Sequence, residues 1–100
     1  MVMSVLSSRL KEARLRAGIS QEQLGLEAGL DAMSASTRMN RYELAKRVPS
    51  PELVERFAKV LDVPAAYFYA ADEETAELLL AFHKMRTDER TRLLSSIRKP

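Results

Sequence analysis

Between Ala17 and Gln21 the chain stops one helix and starts another, and this junction constrains the fold more than any other sequence feature. Gly18 is the residue type that ends helices, because it enters the left-handed region without steric cost. Ser20 followed by Gln23 has the spacing of a capping box, in which side chains satisfy the orphaned N–H groups of a helix start. Two short helices joined so tightly must cross, and the rest of the chain carries the same punctuation. Gly29 ends the second helix. Pro49-Ser50-Pro51 closes one segment and opens the next, since Ser caps a helix and Pro suits its first position. Asp62-Val63-Pro64 breaks the chain again.

Helical spacing fills the intervals. Leu6, Leu10, Ala13 and Ala17 follow i, i+4, i+7, i+11 and place one apolar face on a first helix over 4–17. Leu24 and Ala28 face inward from the second. A small, polar stretch over 31–36 reads as a loop. A third helix is predicted over 36–45, with Met39 and Tyr42 inward. The fourth runs to Leu61 with Val54, Phe57, Ala58 and Leu61 as its core stripe. A short aromatic helix over 65–70 follows. Asp72 is expected to cap a sixth helix reaching Met85, and Thr87 a seventh reaching Arg98, with Asp88 and Glu89 favoured in its first turn by the helix dipole. No run alternates apolar and polar as a strand does, so the expected class is all-α.

Composition narrows the function. One hundred residues suit one compact domain with a short appended segment, and 46% hydrophobic residues argue against disorder. There is no cysteine and a single histidine, His83, which leaves neither a metal site nor a nucleophilic triad to assemble. No metal, no cofactor and no enzymatic activity are therefore expected. The three glycines, Gly18, Gly25 and Gly29, form no phosphate-binding loop. The start, Met1 to Leu6, does not read as a leader, and nowhere do 18 consecutive apolar residues occur. A cytoplasmic, nucleoid-associated protein without a membrane partner is the expectation. Net charge is only +2, yet Arg38, Arg41, Lys46 and Arg47 cluster with Glu43 as the lone acid among them. A local basic stripe beside a near-neutral remainder fits a single DNA-facing surface.

The order Arg14, Gly18-Ile19-Ser20-Gln21, Leu24, Gly29, Tyr42-Glu43, Lys46-Arg47, Pro49-Ser50, Ala58-Lys59-Val60-Leu61, Val63 and Tyr67-Phe68-Tyr69 resembles the lambdoid-phage repressor and Cro (XRE-type) family of helix-turn-helix domains. The resemblance covers about two thirds of the chain and implies a five-helix lambda-repressor-like domain over 4–70 with a C-terminal helical extension over 71–100. It implies double-stranded DNA as partner and makes 36–44 the recognition helix. Ser36, Thr37, Asn40 and Arg41 match base-reading positions. Arg can bond guanine bidentately, Asn can bond adenine, and Thr can meet a thymine methyl. Arg38, Lys46 and Arg47 are assigned to phosphates, and Gln21, at a helix start, to the DNA backbone. Arg14 and Glu43 match a buried structural ion pair. Gly25 stands where the family usually has alanine.

Two departures matter. The stretch between Gly29 and Glu43 is longer than the family's usual spacing, and the extra residues are placed in 31–34. Ala45 stands where the family commonly has a helix-ending glycine, so the third helix is expected to run on. Tyr67, Phe68 and Tyr69 are read as closing the core rather than stacking bases. In the extension, Leu78, Leu79, Leu80, Phe82 and Met85 make the sixth helix apolar around much of its circumference, and Leu93, Leu94 and Ile97 add a second stripe. Leu78, Leu79, Phe82, Leu93, Leu94 and Ile97 are read as a homodimer interface of a dimeric repressor. The alternatives are that these helices pack back on their own domain, or cover a protein partner as an antitoxin covers a toxin.

Overall fold

The computed structural model describes residues 4–98, so the start of the leader-free reading and the last two residues of the extension lie outside the described residues. The elements are α1 (Val5–Ala17), α2 (Gln21–Glu27), α3 (Ala35–Glu43), α4 (Pro51–Leu61), a 3-10 turn (Ala65–Tyr69), α5 (Glu73–Lys84) and α6 (Thr87–Ile97). No strand occurs among the described residues, and the fold is all-α.

Side-chain caps start four of the helices. The hydroxyls of Ser4, Ser20 and Ser50 accept from the backbone N–H of Ser7, Gln23 and Leu53 at 3.0, 3.0 and 3.1 Å. Asp72 Oδ2 accepts from Thr75 N at 2.9 Å. Only the serine half of the expected capping box at Ser20 forms. Thr87 does not cap α6. Arg86 takes the cap position and its N–H donates to Glu89 Oε1 at 2.9 Å, so the acidic residue of the first turn supplies the bond.

The first four helices all end in one way. A residue in the left-handed region follows each: Gly18 (φ 72°), Gly29 (φ 91°), Ala45 (φ 59°) and Asp62 (φ 53°). The next residue's N–H then reaches back to the last turn, as in Ile19 to Arg14 O, Leu30 to Gly25 O, Lys46 to Arg41 O and Val63 to Ala58 O. This is the Schellman arrangement, which satisfies the otherwise orphaned carbonyls. It corrects the expectation at Ala45. The alanine does not let α3 run on; it adopts the glycine conformation, and α3 stops at Glu43.

These short helices close on one core. Leu10, Leu24, Met39, Phe57, Tyr67 and Phe68 are fully buried, each side chain contributing on the order of 1.5–3 kcal/mol through the water it leaves. Of the aromatic cluster, Tyr67 and Phe68 are inside and Tyr69 is exposed. Ala76 of α5 belongs to the same core, with Leu79 and Leu80 packed against it.

Arg9 locks the passage from the 3-10 turn into α5. It is buried, its Nε donates to Ala70 O at 2.9 Å and its Nη2 to Asp72 O at 3.2 Å. Helix α6 is held differently. Arg90 donates from Nε to Phe82 O (3.0 Å) and from Nη2 to His83 O (3.2 Å), and its guanidinium stacks over Phe82 at 4.7 Å. This one side chain ties the start of α6 to the end of α5. The described residues measure 53 × 28 × 23 Å with a radius of gyration of 15.2 Å, above the ~13 Å of a compact chain this long. None of the described helices is long and apolar enough to cross a membrane.

Candidate nucleic-acid interface

Helices α2 and α3 form the most intimate pair in the molecule, and Gly25 is the reason. A Cβ built on Gly25 would stand 3.1 Å from Ala35 Cβ and 3.1 Å from Met39 Cγ. A bare backbone lets α3 cross this closely, and Leu24, Ala28, Leu30 and Met39 seal the seam. The added residues between the helices become a compact turn. Asp31 Oδ2 accepts from Met33 N at 3.1 Å, and Ser34 N donates to Asp31 O at 3.1 Å. Helix α3 therefore begins at Ala35, one residue earlier than the expected start at Ser36, and its N-cap residue Ser34 makes no side-chain cap bond. Ser36 and Thr37 lie in its first turn.

Ala35, Met39, Tyr42 and Glu43 point inward, which fixes the direction of every other side chain on α3. Ser36, Thr37, Asn40 and Arg41 are all exposed, as are Lys46 and Arg47 just beyond the helix. Thr37 lies opposite the buried stripe. Asn40 and Ser36 lean toward α2, whereas Arg38 and Arg41 lean to the other flank.

Gln21, the first residue of α2, turns toward α3. Its Nε2 donates to Glu43 Oε1 at 3.1 Å and lies 3.4 Å from Asn40 Oδ1. Glu43 is buried and accepts from Arg14, Nε to Oε2 at 2.6 Å and Nη2 to Oε1 at 3.0 Å. The Glu43 carboxylate raises the Arg14 pKa further above its ordinary value, against the opposing effect of burial. Arg14 Nη1 also donates to Ile19 O at 2.9 Å. One side chain thus joins α1, the junction before α2, and the end of α3.

Arg38 is anchored within the chain: its Nη2 donates to the Tyr42 hydroxyl at 2.9 Å and its guanidinium stacks over that ring at 5.9 Å. Sequence reasoning missed Arg9, Arg90 and Ser34. Arg9 has partners 61 to 64 residues away, and no local pattern announces bonds at that range. Among the proposed interface side chains, Leu78 and Ile97 are exposed, while Leu79, Phe82, Leu93 and Leu94 are half-buried. His83 lies against Asp62, Nε2 to Oδ1 at 3.0 Å, beside Lys84 at 3.2 Å from the same carboxylate. Among the described residues no acidic, histidine or cysteine cluster could hold a metal ion.

The crystal structure of the transcriptional regulator BswR is similar to this fold, with a TM-score of 0.84 and 44% sequence identity over 91% of this chain and 90% of that one. No curated protein matches the chain. The family model described as a helix-turn-helix domain matches residues 5–79, which takes in α1 to α4 and more than half of α5. By that match, and with α2 and α3 crossed over Gly25 as they are, the chain belongs to the helix-turn-helix domain family.

Proposed function

We propose that the chain is a sequence-specific DNA-binding transcriptional regulator that acts as a homodimer and represses by covering its operator against polymerase. The observation that carries this reading is the outer face of α3. Its polar side chains are exposed while its inner face is pinned by Gly25, Met39 and the Arg14–Glu43 pair. A helix held rigidly with a polar outer face can enter the major groove, which is ~12 Å wide. Ser36, Thr37 and Asn40 then meet base edges. Gln21 and the N-terminus of α2 approach the backbone on one side, and Lys46 on the other. The likeness to a transcriptional regulator at 44% identity supports the same reading.

Dimerisation is proposed through α5 and α6: α5 packs on the core through Ala76, Leu79 and Leu80, and Leu78 and Ile97 stay exposed. A two-fold dimer would read half-sites ~34 Å apart. The test is selection of bound sequences from a random DNA pool at physiological salt. A two-fold symmetric consensus, with a salt slope on the order of −6 to −10, is expected. Failure to enrich any sequence overturns the proposal. Exposed Leu78 and Ile97 also fit a second reading, an antitoxin-like module that covers a protein partner; stable co-purification of one such partner with a monomeric chain would favour it.

A further inference from the structure

Arg38, Arg41 and Arg47 line one concavity of about 370 Å³ together with Ser34 and Tyr42. We propose that this is a phosphate-binding pocket that grips one phosphodiester of the DNA backbone, and that Arg41 supplies affinity there rather than sequence choice. The proposal rests on the DNA-binding reading above. It departs from the resemblance, which places Arg41 among base readers.

Three features of the pocket support it. The first is charge. Among the described residues no carboxylate forms an ion pair with Arg38, Arg41 or Arg47. Three permanent cations sharing one hollow repel each other, and a bound anion relieves that repulsion. The planar donor fork of a guanidinium matches the oxygens of a phosphate.

The second is preorganisation. Tyr42 is set edge-on to Phe57 with ring centroids 6.2 Å apart, so its ring is fixed by the core. Arg38 bonds its hydroxyl and stacks on its face. Arg47 is returned to the side of α3 by the left-handed turn at Ala45, and its N–H donates to Arg41 O at 3.3 Å. The pocket is built by the fold.

The third is position. An α-helix with its side chains is ~10–12 Å across, so in a groove ~12 Å wide its flanks face the walls, where the phosphates are. Thr37 lies opposite the buried stripe of α3, Arg38 sits on one flank, and Arg41, four residues after Thr37, sits between Thr37 and that flank. A long side chain at that edge of the outward face, sharing a hollow with Arg38 and Arg47, reaches the groove wall rather than its floor when the hollow holds a phosphate.

The test compares wild type with Arg41→Ala and Arg41→Lys on the selected consensus and on unrelated duplex, across a salt series. Circular dichroism checks that both variants stay folded. Arg41→Ala should weaken both duplexes by a similar factor, about tenfold, and lower the salt slope by about one per protomer. Arg41→Lys should retain most of the binding, since a phosphate accepts a point charge where a bidentate guanine contact does not. Repeating the random-pool selection with Arg41→Ala should return the same consensus. One neutral methylphosphonate linkage, moved along the duplex, should weaken wild type at one position per half-site and leave Arg41→Ala unaffected there. A changed base preference at one position, or loss on the consensus alone, overturns the assignment and leaves the regulator reading standing. Absence of any DNA binding by wild type overturns both.

Discussion

Arg14 and Glu43, 29 residues apart in the chain, meet in a two-pronged ion pair of 2.6 and 3.0 Å that joins α1 to the end of α3. Both residues are buried, so each charge depends on the other. Removing one partner of a buried pair leaves an uncompensated charge and costs about 3–5 kcal/mol, whereas replacing both by apolar residues of similar volume is often tolerated. Glu43→Ala should therefore destabilise the chain by about 3 kcal/mol in urea unfolding. The double variant Arg14→Met with Glu43→Leu should lose less than either single change. A Glu43→Ala variant within about 1 kcal/mol of wild type would show that the pair contributes little.

Ala45 has φ 59° at the end of α3, a conformation in which its Cβ crowds the backbone. Lys46 N to Arg41 O at 2.9 Å shows the turn completed despite that strain. Ala45→Gly removes the Cβ, partly offset by the greater freedom of glycine in the unfolded chain. A net gain of about 0.5–1 kcal/mol is expected, read as a raised Tm. A lower Tm would mean that the Ala45 methyl contributes packing that outweighs its strain.

Gly25 offers the opposite case. Alanine is the better helix former by about 1 kcal/mol, but its Cβ would press on Ala35 and Met39 at 3.1 Å. Met39 can shift; Ala35 Cβ and the carbonyl at 3.3 Å move only with α3. Gly25→Ala should leave stability nearly unchanged. Gly25→Val should cost about 2 kcal/mol or more and, because it forces α3 outward, weaken DNA binding beyond the effect of unfolding. Full stability and binding in the valine variant would contradict the close crossing.

Much of this architecture is legible in the sequence because it is local. Ser20, Ser50 and Asp72 cap the helices they precede, and Gly18 and Gly29 end the helices they follow, through contacts within a few residues. What escaped the reading is of two kinds. Ala45 adopts a glycine conformation without being glycine, and at Asp62 the break was legible but not the left-handed backbone, which aspartate tolerates better than alanine. Arg9 and Arg90 act on backbone carbonyls of other elements, and exposed and buried arginines look alike in a sequence. The candidate site shows the same division. Asn40 and Thr37 could be placed from the inward stripe of α3. The hollow shared by Arg38, Arg41 and Arg47 depends on the turn at Ala45, which local preference alone does not forecast.

Acid should loosen the start of α5 only once the Asp72 cap is protonated. Hydrogen bonds from the Thr75 hydroxyl and N–H hold the Asp72 carboxyl below its ordinary value. A depressed folded-state pKa gives stability that is present above the ordinary carboxylate value and is lost as pH falls through the lowered one. On acidification, the Thr75 amide resonance should titrate with a midpoint below that of a free aspartate. Asp72→Asn keeps an acceptor at the cap and should abolish that titration. A midpoint at the ordinary value would show that the cap bond is not populated in solution.

Two exposed apolar side chains, one on α5 and one on α6, bear on dimerisation. Leu78 and Ile97 are 53% and 66% exposed, too exposed to matter to the folding of a monomer. If α5 and α6 pair across a two-fold axis, both side chains become buried, and a charge at either position must then be desolvated. Leu78→Asp combined with Ile97→Asp should leave helicity and Tm close to those of the wild-type monomer while abolishing the dimer in sedimentation. Binding to a single half-site should persist. Binding to the full symmetric site should fall by about two orders of magnitude, because the second domain no longer arrives tethered to the first. Arg90→Ala should act in the same direction, since it frees α6 from the carbonyls of Phe82 and His83 and uncovers the Phe82 ring on which its guanidinium stacks. A double variant that still sediments as a dimer would place the interface elsewhere on the molecule.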